Sequence, residues 1–255
     1  MIFIDTHSHL YLSQFDNDID EVINRACEAK VEKIILPNID SKSIKPLHSI
    51  CSRYPDLCIP LMGLHPTHIK EDYQDELNAV VDQLSQYKYK AVGEIGIDLY
   101  WDKTYLLQQQ QAFEQQLNYA LENGLPVVIH ARDSFHEILE IVGETKYSDL
   151  QGIFHAFTGD IKVAEQVVDR GFLLGIGGIV TFKNSNLYDV IASIDLCHLV
   201  LETDSPYLAP VPYRGKRNES SYIPIIAEYL AQIKKTGIDE IAEITTANAQ
   251  RLFRI

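Results

Sequence analysis

The sequence predicts an α/β chain folded as a single-domain (β/α)8 TIM barrel spanning 1–255. Three observations carry that expectation: the length, a series of short apolar runs, and amphipathic stretches that alternate with them. At 255 residues and 46% hydrophobic content the chain can bury one large core, and it matches the ~250 residues typical of such a barrel. Runs rich in Ile, Val and Leu recur at 2–4, 33–36, 59–62, 91–95, 127–129, 152–154, 172–176 and 199–201. Their nearly continuous apolarity suits strands buried on both faces, as parallel strands covered by helices are. Strand-helix alternation repeated this often favours a closed barrel over an open doubly wound sheet. No Gly-rich phosphate loop follows the first run to support the open form.

The helical stretches follow in order. Asp18 to Glu21 reads as a capping box that opens a helix, with Ile19, Val22, Ile23 and Ala26 on one face. Helices are next expected at 41–53 and 74–86, then at 105–123, where Leu106, Phe113, Leu117, Ala120 and Leu121 share a side. Gly124-Leu125-Pro126 ends that helix and starts a strand. Further helices are expected at 135–142, 161–170 and 187–193, with two more near 223–235 and 239–253.

Charge and composition narrow the function. With 22 Lys+Arg against 36 Asp+Glu, the net charge is −14. That balance disfavours a partner that coats the surface with phosphates, so any nucleic acid has to be gripped locally. The N-terminal residues contain no basic segment followed by a long apolar run, and no stretch approaches the ~18 apolar residues of a membrane span. A cytoplasmic protein with no membrane association is expected, and no obligate protein partner is evident. Cys27, Cys51, Cys58 and Cys197 form no CxxC pair, which reads as reduced thiols.

The chemistry gathers at the strand ends. The first run leads into Asp5-Thr6-His7-Ser8-His9. Side chains alternate along an extended strand, so His7 and His9 point the same way and can reach one ion. The fourth run carries Gly93-Glu94-Ile95-Gly96-Ile97-Asp98, the fifth leads to His130, the sixth to His155 and the eighth to Asp204. In a barrel all these ends converge on one rim, so His7, His9, Glu94, His130, His155 and Asp204 aim at a common point. Glu94, with two oxygens, can bridge two cations. Such a donor set suits two divalent ions with open positions for water and substrate. Zn, Mn or Co suit the imidazoles and Mg the oxygens, leaving the metal among Zn, Mg and Mn. Hydrolysis is the implied reaction, with Asp204 binding one ion and taking the proton from the attacking water.

Further blocks are Gly63-Leu64-His65-Pro66, His130-Ala131-Arg132-Asp133, Phe154-His155-Ala156-Phe157-Thr158-Gly159 and Gly177-Gly178-Ile179-Val180-Thr181-Phe182. Glu202-Thr203-Asp204-Ser205-Pro206-Tyr207-Leu208, Arg214-Gly215-Lys216-Arg217-Asn218-Glu219 and Asn248-Ala249-Gln250-Arg251-Leu252-Phe253 complete the set. In this order they resemble the TatD family of metal-dependent deoxyribonucleases, within the amidohydrolase-like barrels, over essentially the whole chain. The resemblance implies bound divalent cations and cleavage of DNA phosphodiesters at single strands or ends. It assigns His7, His9 and Asp204 to one ion and His130 and His155 to the other, with Glu94 between. His65 would face the pocket and contact substrate phosphate, or bond to backbone. Arg132, Lys216 and Arg217 would contact the substrate backbone or form loop salt bridges. Glu202 would orient a ligand from behind or pair with a buried cation. Tyr100 and Trp101 would stack on a base or pack at the foot of their loop. His48, His68, His136 and His198 read as surface or structural. The chain departs from the family pattern at Ser220, where Pro is usual, and at Ala156, where Cys is frequent; the metal ligands are all present.

Two other functions fit parts of this pattern. An amidohydrolase-like enzyme acting on an ester, amide, lactone or aminoacyl linkage agrees with the acidic surface. A metal-binding scaffold without turnover would require loss of a ligand or base, and none is missing.

Overall fold

Parallel pairing of the apolar runs builds the barrel wall. The computed structural model describes residues 1–255 throughout. β1 (Phe3–Asp5), β2 (Val31–Leu36) and β3 (Cys58–Pro60) form one parallel arc. β4 (Val92–Asp98), β5 (Val127–Arg132), β6 (Gly152–Phe154), β7 (Phe172–Ile176) and β8 (Leu199–Leu201) form the other. Two irregular seams join the arcs. Between β3 and β4, Met62 bridges Val92 and the Gly93 N–H donates to the Met62 carbonyl at 3.0 Å. Between β8 and β1, the Thr6 N–H donates to the Leu201 carbonyl at 3.0 Å and Ser8 bridges Ser205.

Helices α1 (Ile19–Glu28), α2 (Ile44–Arg53), α3 (Tyr73–Gln86), α4 (Leu106–Glu122), α5 (Phe135–Val142), α6 (Ile161–Asp169) and α7 (Leu187–Ser193) each follow the strand of the same number. α8 (Ile223–Lys234) and α9 (Ile238–Phe253) both follow β8. None is long and apolar enough to cross a membrane.

Alternation along the strands sorts the core into two layers. Ile4, Ile35, Leu61, Ala91, Val128, Ile153, Leu173 and Val200, one from each strand or its flank, form an inner cluster with Ala249, Leu252 and Phe253 of α9. Their neighbours, such as Ile34, Leu36, Val127, Ile129, Leu199 and Leu201, pack outward with the helix faces. Two positions beyond the inner apolar residues, on the same face, stand Gly63, His130, His155, Gly175 and Glu202. The interior thus changes from packed apolar to polar one step up the strands.

That change explains where the expected boundaries fall short. β4 and β5 continue three residues past the ends of their apolar runs, with Gly96, Ile97 and Asp98 paired to His130, Ala131 and Arg132. Glu94 and His130 therefore project from within strands, because the inward positions there serve the site while Ile95 and Ile97 still pack outward. The capping box does not form: Asp18 makes no cap hydrogen bond, and its carboxylate is taken by Arg217, with Nη1 to Oδ1 at 2.7 Å and Nη2 to Oδ2 at 2.5 Å. α2 starts at Ile44 rather than at 41, because Ser43 closes a turn in which its Oγ accepts from the Asp40 N–H at 2.9 Å.

Candidate metal centre

Glu94 lies at the middle of the polar layer and is 1% exposed. Its Oε2 stands 3.1 Å from His7 Nε2 and 3.6 Å from His9 Nε2. Asp204 Oδ1 completes that side, 3.4 Å from His9 Nε2 and 3.8 Å from His7 Nε2. Glu94 Oε1 faces the opposite way, 2.7 Å from His155 Nε2 and 3.0 Å from His130 Nδ1. The six donors expected to converge do meet, with the two Glu94 oxygens facing different imidazole pairs; His155 also lies within 4.8 Å of His7 and Asp204, and His65 groups with Glu94 and His130 within the same limit.

The local backbone serves this convergence. Asp204 sits at φ +55° and Ala156 at φ +43°, in the left-handed region, which for a non-glycine residue costs ~1–3 kcal/mol and persists only where surroundings fix it. For Asp204 the fixing includes its N–H bond to the His7 carbonyl at 2.8 Å. Beneath it, buried Asp5 accepts from Thr203 Oγ1 and Ser220 Oγ, both at 2.6 Å, and from the Thr203 N–H at 2.9 Å. Burial pushes the Asp5 carboxyl up to about 7, against the pull of those donors. Ser220, the departure from the family pattern, thus supplies a donor that ties the β8 loop to β1.

Two of the imidazoles, His9 and His130, are aimed by a hydrogen-bond partner behind the ring, whereas Nδ1 of His7 and of His155 is buried without one. Tyr11 donates its only hydroxyl proton to the Pro37 carbonyl at 2.6 Å, so the 2.9 Å contact with His9 Nδ1 must run from the ring. With its Nδ1 proton so directed, His9 turns Nε2 to the cluster. His130 is held at Nε2 by Asp98 Oδ2 at 2.9 Å, leaving Nδ1 for the cluster. His155 Nδ1 faces Glu202 Oε1 at 3.7 Å, and that oxygen also accepts from the Ala156 N–H at 2.6 Å. Gly175 makes room for this arrangement, since a Cβ there would lie 2.2 Å from Glu202 Oε2. Such partners fix tautomer and ring orientation in metal sites.

The donor set fits divalent cations. Glu94 Oε2 is buried without a hydrogen-bond partner. The Nε2 atoms of His7 and His9 are 3.1 Å apart, a spacing suited to two imidazoles on one ion with bonds of ~2.0–2.1 Å. Glu94, Asp98, Glu202 and Asp204 form ion pairs only with imidazoles, and buried anions of this number call for cationic partners. Burial opposes the charge on Glu94, but His155, His65 and His7 outweigh it and hold the carboxyl well below its usual range. Asp204 is likewise lowered, burial being overcome by His9, His7 and His155. For His155 burial acts downward, yet Glu94 and Glu202 raise it well above its ordinary value.

The remaining expected site residues divide. His65 Nδ1 accepts from the Thr67 N–H at 3.1 Å, so its proton sits on Nε2, 3.1 Å from Glu94 Oε1; burial pushes this ring down to about 4. Glu202 lies behind His155, with Oε1 3.7 Å from His155 Nδ1. Arg132 lies over the Tyr100 and Trp101 rings. Arg217 is not brought to the cluster: besides Asp18 it donates to the Gln14 carbonyl at 2.6 Å and lies over Phe15. Lys216 Nζ is 5.7 Å from the centre of the Tyr213 ring. His48 bonds to Tyr89, and His68 pairs with Asp40. Two orienting residues escaped the sequence reading. Asp98 carried a signal, because Glu94, Gly96 and Asp98 share one strand face; the role of Tyr11 depends on Pro37, which lies 26 positions on, beyond α1 and β2.

Known proteins are similar to this chain in sequence and in fold. The family model for TatD related DNase matches residues 4–254. YabD of Bacillus subtilis, described as an uncharacterized metal-dependent hydrolase, is 40% identical over 256 residues, covering 100% of each chain. YcfH of Escherichia coli K12, described likewise, is 32% identical over 260 residues, covering 100% of this chain and 97% of its own. Among solved structures, YJJV, a TatD homolog from Escherichia coli K12, superposes with a TM-score of 0.92 at 29% identity, covering 99% of this chain and 98% of its own. With a matching family model over nearly its whole length, full-length relatives and a barrel of the same form, the chain belongs to the TatD family of metal-dependent hydrolases.

Proposed function

We propose that this hydrolase cleaves phosphodiester bonds in DNA, acting on single strands or frayed ends. The observation that carries the reading is the division of the two Glu94 oxygens between His7, His9 and Asp204 on one side and His130 and His155 on the other. Two divalent ions held there, Zn, Mg or Mn, would lower the pKa of a bound water and offset charge developing on a phosphoryl oxygen. Asp204 takes the proton of the attacking water. Its carboxylate is kept ionised by the neighbouring rings, and it is among the more open members of the cluster, at 15% side-chain exposure. His65 and His130, 13% and 15% exposed, are the other partly open members of the cluster. The proton on His65 Nε2, which stands 3.1 Å from Glu94 Oε1, would turn to a substrate phosphate oxygen once a cation takes that carboxylate oxygen, while Tyr11 and Asp98 hold the His9 and His130 rings. A mouth lined this way admits a chain end more readily than an intact duplex.

Purified protein supplied with Mg, Mn or Zn is expected to degrade a short labelled single strand. Asp204→Ala is expected to abolish this while the circular dichroism spectrum stays native; undiminished turnover in that variant refutes the role. A second reading, hydrolysis of an ester, amide, lactone or aminoacyl bond, is favoured by the net charge of −14 and by the capture of Arg217 by Asp18. A substrate panel containing both bond types decides between them.

A further inference from the structure

Beside the metal cluster the barrel mouth carries a ledge of uncovered rings. Trp101 is 71% exposed and Tyr100 54%, and they meet edge to face with ring centres 4.9 Å apart. Arg132, the last residue of β5, lays its guanidinium 3.7 Å from the centre of the Tyr100 ring and 5.4 Å from that of Trp101. Unlike Arg25, Arg53 and Arg217, which pair with carboxylates, Arg132 keeps its charge free of acidic partners.

The ledge is fixed to the cluster through one side chain. Asp98 Oδ1 accepts the Tyr100 N–H at 3.0 Å and the Trp101 N–H at 3.4 Å. Its Oδ2 holds His130 Nε2 at 2.9 Å, and the other nitrogen of that ring faces Glu94. The carboxylate that aims His130 therefore also sets the position of both aromatic residues. Exposed rings with an unpaired guanidinium match a nucleobase on one side and its phosphate on the other. Every base offers a π face, so stacking gives strand affinity without a cationic groove, which this acidic chain lacks.

We infer that Tyr100, Trp101 and Arg132 form a base-stacking subsite for the nucleotide next to the phosphodiester being cut, with Arg132 contacting its phosphate, an assignment that rests on the phosphodiesterase reading above. The test compares a short single strand of thymidylates with an abasic strand of equal length and charge. Stacking on an aromatic side chain predicts a KM for the abasic strand about 5- to 100-fold above that for the base-bearing strand. Trp101→Ala is expected to collapse this ratio toward one, and Trp101→Phe to retain most of it. Trp101 is the only tryptophan in the chain, so its fluorescence reports the same event without loss of the ring. In Asp204→Asn protein the thymidylate strand is expected to quench it strongly and the abasic strand weakly. A wild-type enzyme that cuts both strands with equal KM, a ratio that survives in Trp101→Ala, or equal quenching by both strands overturns the subsite alone. A wild-type protein that cuts neither strand, nor a small phosphodiester, overturns the phosphodiesterase reading and the subsite with it.

Discussion

Two loops flank the barrel mouth, and each brings an arginine to a place where a substrate contact was expected. The loop after β8 commits its arginine to the protein. Arg217 donates to both oxygens of Asp18, and Arg25 of α1 donates to both oxygens of Glu219 at 2.7 Å each. These pairs clamp α1 to the segment that delivers Asp204, so Arg217 acts on the site through position. At the β4 and β5 rim, Arg132 meets rings instead of carboxylates. The residue type is the same at the two places, with Arg132 two positions after His130 and Arg217 thirteen after Asp204. What separates a structural arginine from one available to substrate is whether a carboxylate from a remote part of the chain reaches it.

The largest break in that comparison is expected from Asp98→Ala, because Asp98 serves both the ledge and His130. Loss of such an orienting partner typically costs 10–100-fold in metal affinity or activity, and a drop of about that size is expected in a metal titration. An unchanged affinity would detach the ledge from the metal centre. Gly175→Ala is expected to act next most strongly, on the opposite side of the cluster. Its methyl group would collide with Glu202 and release His155, lowering metal affinity by about tenfold, whereas a titration curve matching wild type would show that Glu202 has room to move. The two arginines then give reciprocal, smaller effects. Arg217→Ala is expected to cost about 1 kcal/mol, a Tm shift of ~2–4 °C, with little change in strand KM. Arg132→Ala is expected to leave the Tm in place and to flatten the slope of log K against log salt by ~0.7, one phosphate contact on a single strand. The reverse pattern would exchange the roles of the two loops.

Much of this was legible in the primary structure, for identifiable reasons. β6, β7, β8, α5 and α7 begin and end where their apolar patterns do, since their boundaries coincide with a change from burial to solvent. β4 and β5 outran their patterns because the residues that stop the apolarity, Glu94 and His130, are still inside the barrel. The six donors were readable because each lies at or just beyond an apolar run, and barrel topology does the gathering. The pairing of Arg217 was not, since Asp18 lies 199 positions away and itself looked like a helix cap. Nor could the sequence show that Tyr11 gives its proton to Pro37 and so fixes the direction of the His9 Nδ1 proton. That requires knowing where a carbonyl points.

The divided carboxylate of Glu94 is tested most directly by elemental analysis of the purified, metal-loaded protein. Two ions per chain are expected for the native sequence, with one lost in His9→Ala and one lost in His130→Ala. A native chain that binds a single ion, or a Glu94→Ala variant that still holds two, would contradict a site in which that side chain joins the two groups of donors.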